Sequence, residues 1–200
     1  MRMVAPPDVP VAADDAALIA RSWHDPDAFA TLYDRYFDEI HRYVAGRLGG
    51  HAADDLAAET FLVAFKKRQA FDPGRGAVRP WLYGIATNLV AQHRRSETRR
   101  LEAFQRSPSG EVADSGHEEW VTARVAAANA QGRLAAAIKR LSDGDRDVLL
   151  LVALAELSYE EVAQTLGIPF GTVGSRLNRV RKKLRKALGG VNPMIGGFDG

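Results

Sequence analysis

Basic and polar side chains are concentrated near the end of the chain. Every charged residue between positions 171 and 188 is Lys or Arg, although the formal net charge of the chain is only +2. Such a block indicates a surface for an anionic partner. Because Arg can bridge guanine and Asn can bridge adenine at base edges, this stretch has the side chains that read duplex DNA. The candidates are Thr172, Ser175, Arg176, Asn178, Arg179, Arg181 and Lys182.

The sequence before this block predicts two short helices joined by a turn. Ser158 and Glu161 form an S-x-x-E capping box, which places a helix start at Tyr159. Gly167 suits the left-handed end of that helix, and Pro169 suits the start of the next segment. The second helix turns an apolar stripe inward: Val173, Leu177, Val180 and Leu184. This pattern is a helix-turn-helix, whose second helix enters the major groove. The alternative is a solvated basic helix that caps a bundle.

Aromatic, amide and arginine side chains also lie close together in the first half. They occupy the turn-rich loop "FDPGRGAVRP" and the helix that follows it, on which we expect Tyr83, Thr87 and Asn88 to face outward. This combination suits single-stranded nucleic acid, because bases stack or enter pockets while Arg follows the backbone. The candidates are Phe71, Arg75, Arg79, Asn88, Arg94 and Arg95. The alternative, which the residues leave open, makes Phe71 and Trp81 ordinary core and the Arg run a partner of the helix dipole.

Asp55 and Glu59 place two carboxylates on one face of a helix, four residues apart. Such a pair has three interpretations: a metal or acid/base site, a solvated acidic face, or a docking face for a basic protein. No third ligand follows at a useful spacing, so we predict no metal ligand and no catalytic residue.

Helical spacing of apolar residues runs through the chain, and no strand pattern of any length is present. One clear stripe is Phe29, Leu32, Tyr33, Tyr36, Ile40, Tyr43 and Val44. We therefore predict an all-α protein of two small helical domains on a flexible linker. The predicted parts are a disordered leader (1–13), a first domain (14–100), a linker (101–130), a helix-turn-helix domain (131–188) and a flexible tail (189–200).

Composition narrows the class of protein. A chain of 200 residues is too short for a large enzyme, and its lack of cysteine excludes disulfides and thiolate metal sites. No apolar run approaches the roughly 20 residues that span a bilayer. We therefore expect a cytoplasmic protein with no membrane insertion and no cofactor.

Three motifs together resemble one known family. "DDLAAETFLVAF" is similar to "D-L-x-Q-E-T-F-x-x-A-W/Y", and "WLYGIATNLVAQHRRS" is similar to "WLYRIARNxxxDxxR". Residues 141–181 are similar to "LPEDxRxVxxLxxxxGLSYEEIAxxLGxPxGTVKSRLxRAR". These motifs are typical of extracytoplasmic-function (group IV) sigma factors of the bacterial sigma-70 family, which keep only the second and fourth conserved regions. The resemblance covers residues 14–188 apart from the linker.

The resemblance implies a transcription initiation factor and not an enzyme. Asp55 and Glu59 would bind core RNA polymerase at its β′ clamp helices, with the β flap as a further contact. Phe71, Arg75, Arg79, Asn88, Arg94 and Arg95 would contact the melted −10 element, and the residues from Thr172 to Lys182 named above would contact the −35 duplex. The implied partners also include an anti-sigma factor and exclude a small-molecule substrate. Bound to polymerase, the chain would associate with the nucleoid.

The chain departs from the family pattern at Ala58, where the family often has Gln, and at Val63 and Gly174, where Lys or Arg is common. Two rival functions fit parts of the sequence. A conventional helix-turn-helix regulator would bind duplex DNA without being a polymerase subunit. A small metal-dependent enzyme would use Asp54, Asp55 and Glu59.

Overall fold

The computed structural model describes residues 11–48, 50–105 and 125–189. In these ranges the backbone forms eight α-helices, some joined by short 3-10 turns, and no β-strand. The helices are α1 (Val11–Arg21), α2 (Ala30–Leu48), α3 (Ala53–Lys67), α4 (Val78–Gln105), α5 (Val125–Lys139), α6 (Asp143–Ala153), α7 (Tyr159–Leu166) and α8 (Phe170–Ala187). The all-α prediction is therefore confirmed. Within the described ranges, no helix combines the length and the apolar content needed to cross a membrane.

Three helices extend into segments that the sequence assigns to the leader and the linker. α1 begins at Val11, α4 continues to Gln105, and α5 begins at Val125. α4 can continue because residues 96–105 contain neither Gly nor Pro. Residues 1–10, 106–124 and 190–200, which hold much of the predicted leader, linker and tail, lie outside the described residues.

The first half packs α2, α3 and α4 around one apolar core. The buried side chains from these helices include Leu32, Tyr36, Ile40, Tyr43, Val44, Leu56, Ala57, Phe61, Ala64, Leu82, Ile85, Ala86 and Val90. Tyr33, which the predicted stripe includes, is 39% exposed. It lies at the edge of the stripe, where its ring stacks on Phe37 and meets the edge of Phe61. The prediction of an inward Tyr33 is wrong because the core ends at this ring cluster.

α4 is buried on more of its circumference than the sequence predicts. Tyr83 and Thr87, expected to face outward, are both buried. The Thr87 hydroxyl lies 2.7 Å from the hydroxyl of Tyr43 and donates a hydrogen bond to the carbonyl of Tyr83. The prediction is wrong because α2 covers this face of α4, where the rings of Tyr43 and Tyr83 meet edge to face with their centroids 5.3 Å apart.

The helix-turn-helix forms as its residues predict. The Ser158 hydroxyl accepts a hydrogen bond from the Glu161 amide at 3.2 Å, and the Glu161 carboxylate accepts one from the Ser158 amide at 2.8 Å. Gly167 ends α7 in the left-handed conformation, with φ of +61°. α8 then buries the predicted stripe of Val173, Leu177, Val180 and Leu184. The capping box, the turn and the inward face of α8 are therefore confirmed.

The two halves of the chain contact each other. α7 packs on α4, and α6 approaches α2. The Thr165 hydroxyl of α7 donates a hydrogen bond to the Pro80 carbonyl of α4 at 3.2 Å. Gly46 of α2 lies against the side chain of Leu154, where an added Cβ would come within 3.3 Å. One apolar cluster therefore runs from the first half into α6, α7 and the start of α8. A second, smaller cluster joins Leu141 and Leu149 to Val180 and Leu184 of α8.

Candidate nucleic-acid interfaces

The outward face of α8 carries the residues expected to read duplex DNA. Ser175, Asn178 and Arg179 are exposed, opposite the buried stripe. Thr172 and Arg176 are partly buried, and the Ser175 hydroxyl donates a hydrogen bond to the Thr172 carbonyl at 3.0 Å. Arg181 and Lys182 are exposed farther along the helix. Five of the seven predicted side chains are therefore exposed to solvent, and the other two, Thr172 and Arg176, are half-buried.

The first turn of α6 contacts the basic side of α8. The carboxylate of Asp145, only 1% exposed, accepts hydrogen bonds from Arg179 at 3.1 Å and from Lys183 at 3.0 Å. Arg176 donates a weaker hydrogen bond to the Gly144 carbonyl at 3.3 Å. Burial by itself raises the pKa of Asp145, but the Lys183 hydrogen bond, the Ser142 contact and the Arg179 charge lower it below its ordinary value. Asp145 is therefore ionised and neutralises part of the basic face.

A cleft of about 620 Å³ lies between the 71–77 loop, α4 and α7. We call it the 71–88 cleft, and its lining includes Phe71, Arg75, Trp81, Asn88, Gln164 and Thr165. The rings of Phe71 and Trp81 are tilted by 53° with their centroids 5.1 Å apart, and Asn88 is exposed. The cleft brings together an aromatic pair, an amide and an Arg, which are the groups that hold an unpaired base. α7 of the second half forms one of its walls.

The other arginines predicted for this surface lie elsewhere. Arg79 donates three hydrogen bonds to the carboxylate of Glu39, at 2.9 to 3.1 Å, and does not line the cleft. Arg94 pairs with Asp143 of α6 and donates to the Arg47 carbonyl at 2.6 Å. Arg95 is exposed but also lies outside the cleft lining. The structure thus groups Phe71, Arg75 and Asn88 and leaves these three arginines apart from them.

α3 presents the acidic face. Asp55 and Glu59 are exposed on it, together with Ala58 between them and Leu62 one turn farther on. Leu62 is 51% exposed, which is high for a large apolar side chain. No group of three or more His, Cys, Asp or Glu side chains in the described part of the chain is placed to hold a metal ion. Two carboxylates beside an apolar side chain suit contact with a basic protein surface.

The roles of two residues on these surfaces are not predictable from the sequence. Asp145 stands in the polar run "SDGDRD", where alternating acids give no sign that one of them is buried. Leu62 occupies an ordinary apolar position in "ETFLVAF", and only the packing of α3 shows that it points outward. The available signal for Asp145 is Ser142, whose hydroxyl caps α6 by accepting from the Asp145 amide at 3.4 Å and so places Asp145 in its first turn.

Comparison with known proteins identifies both halves. Residues 32–100 match the sigma-70 region 2 family, and residues 131–184 match the sigma-70 region 4 family. The chain is 35% identical over 173 residues to the ECF RNA polymerase sigma factor SigW of Bacillus subtilis, covering 82% of this chain and 90% of SigW. It is 34% identical over 166 residues to the ECF RNA polymerase sigma factor BldN of Streptomyces coelicolor, covering 82% of this chain but 61% of BldN.

A solved structure shares the arrangement of helices. CnrH, in complex with the cytosolic domain of CnrY, has a TM-score of 0.62 to this chain at 26% identity, covering 88% of this chain and 97% of CnrH. Both sequence halves, the helix-turn-helix geometry and these relatives lead to one conclusion. The chain belongs to the extracytoplasmic-function sigma factors of the sigma-70 family.

Proposed function

We propose that this chain joins core RNA polymerase and directs it to promoters by holding DNA at two places. α8 reads the −35 element as duplex, and the 71–88 cleft captures the melted non-template strand of the −10 element. Residues 131–188 carry the first role and residues 14–100 the second. The observation that carries the proposal is the exposure of Ser175, Asn178 and Arg179 on the face of α8 opposite its core.

Duplex reading follows from the composition of that face. Arg179 and Asn178 have the donors and acceptors that distinguish base pairs in the major groove. Arg181 and Lys182 lie nearer the C-terminal end of α8, where they can contact phosphates and give salt-dependent affinity. Because the base-reading and the phosphate-binding side chains all lie on α8, one helix holds them in a fixed register.

Strand capture follows from the contents of the cleft. Taking a base out of the duplex costs a few kcal/mol. Stacking on an aromatic side chain returns about 1–3 kcal/mol for each base. Phe71 and Trp81 supply the rings, Asn88 supplies an amide for a base edge, and Arg75 supplies a cation for the backbone. Sequence recognition and strand separation are therefore coupled at this site.

Docking to polymerase uses α3. Asp55 and Glu59 offer negative charge to basic residues of the β′ clamp helices, and Leu62 adds apolar area between the partners. The β flap is the second polymerase contact in the proposal. Ala58 removes a polar contact that the family pattern has at this position, so the surrounding charges carry more of the affinity. Once bound to polymerase, the chain acts on the nucleoid in the cytoplasm.

An anti-sigma factor is the remaining proposed partner. The support is the structure of CnrH, a relative with the same arrangement of helices, in complex with the cytosolic domain of CnrY. A protein partner bound to the free chain would compete with polymerase for it.

The test is to combine the purified chain with core RNA polymerase and a genomic promoter library, and to sequence the run-off transcripts. The proposal expects specific start sites that share two upstream elements. If the chain binds duplex DNA alone but neither joins core polymerase nor redirects initiation, the proposal is wrong and the chain acts as a conventional regulator.

A further inference from the structure

Asp145 is an acidic residue held against the basic side of the proposed recognition helix. Its Oδ1 accepts from Arg179 Nη1 and its Oδ2 accepts from Lys183 Nζ, so each carboxylate oxygen binds a different cation of α8. The side chains of Arg179 and Lys183 remain 56% and 47% exposed. Both cations are therefore open to solvent on one side and bound to a buried carboxylate on the other.

The same turn of α6 holds a third side chain of α8. Arg176 Nη1 donates to the Gly144 carbonyl, and a Cβ added at Gly144 would come within 2.6 Å of that nitrogen. Arg176, Arg179 and Lys183 follow one another along a single face of α8 at spacings of three and four residues. The first turn of α6 thus contacts three cationic side chains on the face of α8 that is proposed to meet DNA.

We propose that Asp145 is a positioning residue that sets promoter specificity, because it holds Arg179 and Lys183 away from DNA phosphates and leaves Arg179 to the base edges. This inference rests on the proposed reading of duplex DNA by α8. A phosphate contact adds affinity for every sequence, while a base contact adds affinity for one. A cation that must leave a buried carboxylate to reach a phosphate gains less from doing so. Discrimination rises when affinity for the wrong sequences is kept low.

A purely structural role for Asp145 makes different predictions. If the residue only ties α6 to α8, its loss lowers stability and leaves the salt dependence of DNA binding unchanged. The slope of log K against log salt concentration reports the number of phosphates neutralised, at about 0.9 for each contact. This slope separates the two roles whatever happens to the melting temperature.

The experiment uses holoenzyme made from the full chain and core polymerase, with core polymerase alone as background. The DNA probes are a duplex carrying the upstream element found by run-off sequencing and a scrambled duplex of equal length. For Asp145→Asn we expect about five- to tenfold tighter binding of the scrambled duplex, a salt slope steeper by about 1 to 2, and a lower ratio of specific to scrambled affinity. Asp145→Glu restores most of the ratio. Glu160→Gln, which removes the same charge from an exposed position on α7, changes none of these three quantities.

A second pair of variants avoids disturbing the buried carboxylate. Lys182→Gln removes an exposed cation and lowers the slope by about 1, whereas Lys183→Gln leaves it close to that of the wild type. The inference is overturned if Lys183→Gln lowers the slope as much as Lys182→Gln does. It is also overturned if Asp145→Asn changes only the stability of the chain, or if it weakens holoenzyme binding to both duplexes equally. If wild-type holoenzyme does not distinguish the two duplexes, the proposed function of α8 itself fails.

Discussion

Arg47 of α2 and Asp147 of α6 form a buried ion pair between the two halves of the chain. Arg47 Nε lies 2.8 Å from Asp147 Oδ1, and the two side chains are 1% and 14% exposed. The contact is an ion pair without the alignment of a hydrogen bond. Burial raises the pKa of Asp147 above its ordinary value although the charge of Arg47 opposes the shift. The charge of Arg47 therefore helps to keep the Asp147 carboxylate ionised, and each charge stabilises the other.

Removing only one member of this pair should be more damaging than removing both. Arg47→Met leaves the largely buried Asp147 carboxylate with only the charges of Arg94 and Arg146, which costs up to about 3–5 kcal/mol of the free energy of unfolding. The double variant Arg47→Met with Asp147→Leu leaves no unpaired charge and should lose much less. Urea unfolding of the full chain measures both. Equal losses for the single and double variants would show that the charge pairing is unimportant.

The contribution of Asp145 to stability should depend on pH. Its folded-state pKa is lowered from 3.8 while its unfolded-state pKa is ordinary, so the unfolded chain binds more protons between the two values. The stabilisation is present above about pH 4 and is lost as the pH falls through the folded pKa. The difference in unfolding free energy between wild type and Asp145→Asn should therefore be largest at pH 7 and shrink toward pH 3. A difference that is constant across this range contradicts the prediction.

The features that sequence predicts correctly are local ones. The Ser158 and Glu161 box, the turn at Gly167 and the inward stripe of α8 each depend on residues within a few positions of one another. Their chemistry is complete within a short segment, so their spacing is enough to identify them.

The features that sequence misses depend on distant partners. Asp145 is buried by Arg179 and Lys183, which are 34 and 38 positions away. Thr87 is buried because it lies beside Tyr43, 44 positions earlier. Arg79 faces Glu39 because two helices cross there, which no pattern within either helix indicates.

The acidic face of α3 should matter to polymerase and not to the fold. Glu59→Lys reverses an exposed charge and should weaken binding to core polymerase about tenfold or more, because like charges then meet at the interface. The melting temperature should stay close to that of the wild type. Asp34→Lys, which makes the same reversal of charge at an exposed position of α2, serves as the control. If both variants bind core polymerase equally well, α3 is not the docking face.

Asn88 should act in strand capture and not in duplex binding. Asn88→Ala removes an exposed amide from the 71–88 cleft, and loss of one or two hydrogen bonds should lower run-off transcription by about two- to tenfold. Holoenzyme binding to a duplex that carries only the upstream element should not change. Gln92→Ala removes an exposed amide one turn farther along α4, outside the cleft lining, and should have little effect. Equal losses from both variants would count against the cleft.

Gly174 should weaken α8 for a reason that is local to the helix. It lies in the interior of α8, and no atom is within 4 Å of the Cβ that an alanine would add. Gly174→Ala should therefore stabilise the chain by up to about 1 kcal/mol, which raises the melting temperature by about 2–4 °C.

Gly171 provides the matched control, because its added Cβ would also meet open space but its position is in the first turn of α8. Gly171→Ala should gain less, since the first turn has fewer helical hydrogen bonds to stabilise. Thermal unfolding of the two variants side by side compares interior with terminal glycine on one helix. If Gly174→Ala lowers the melting temperature, the prediction is wrong, and the added methyl group must clash with neighbouring atoms in solution.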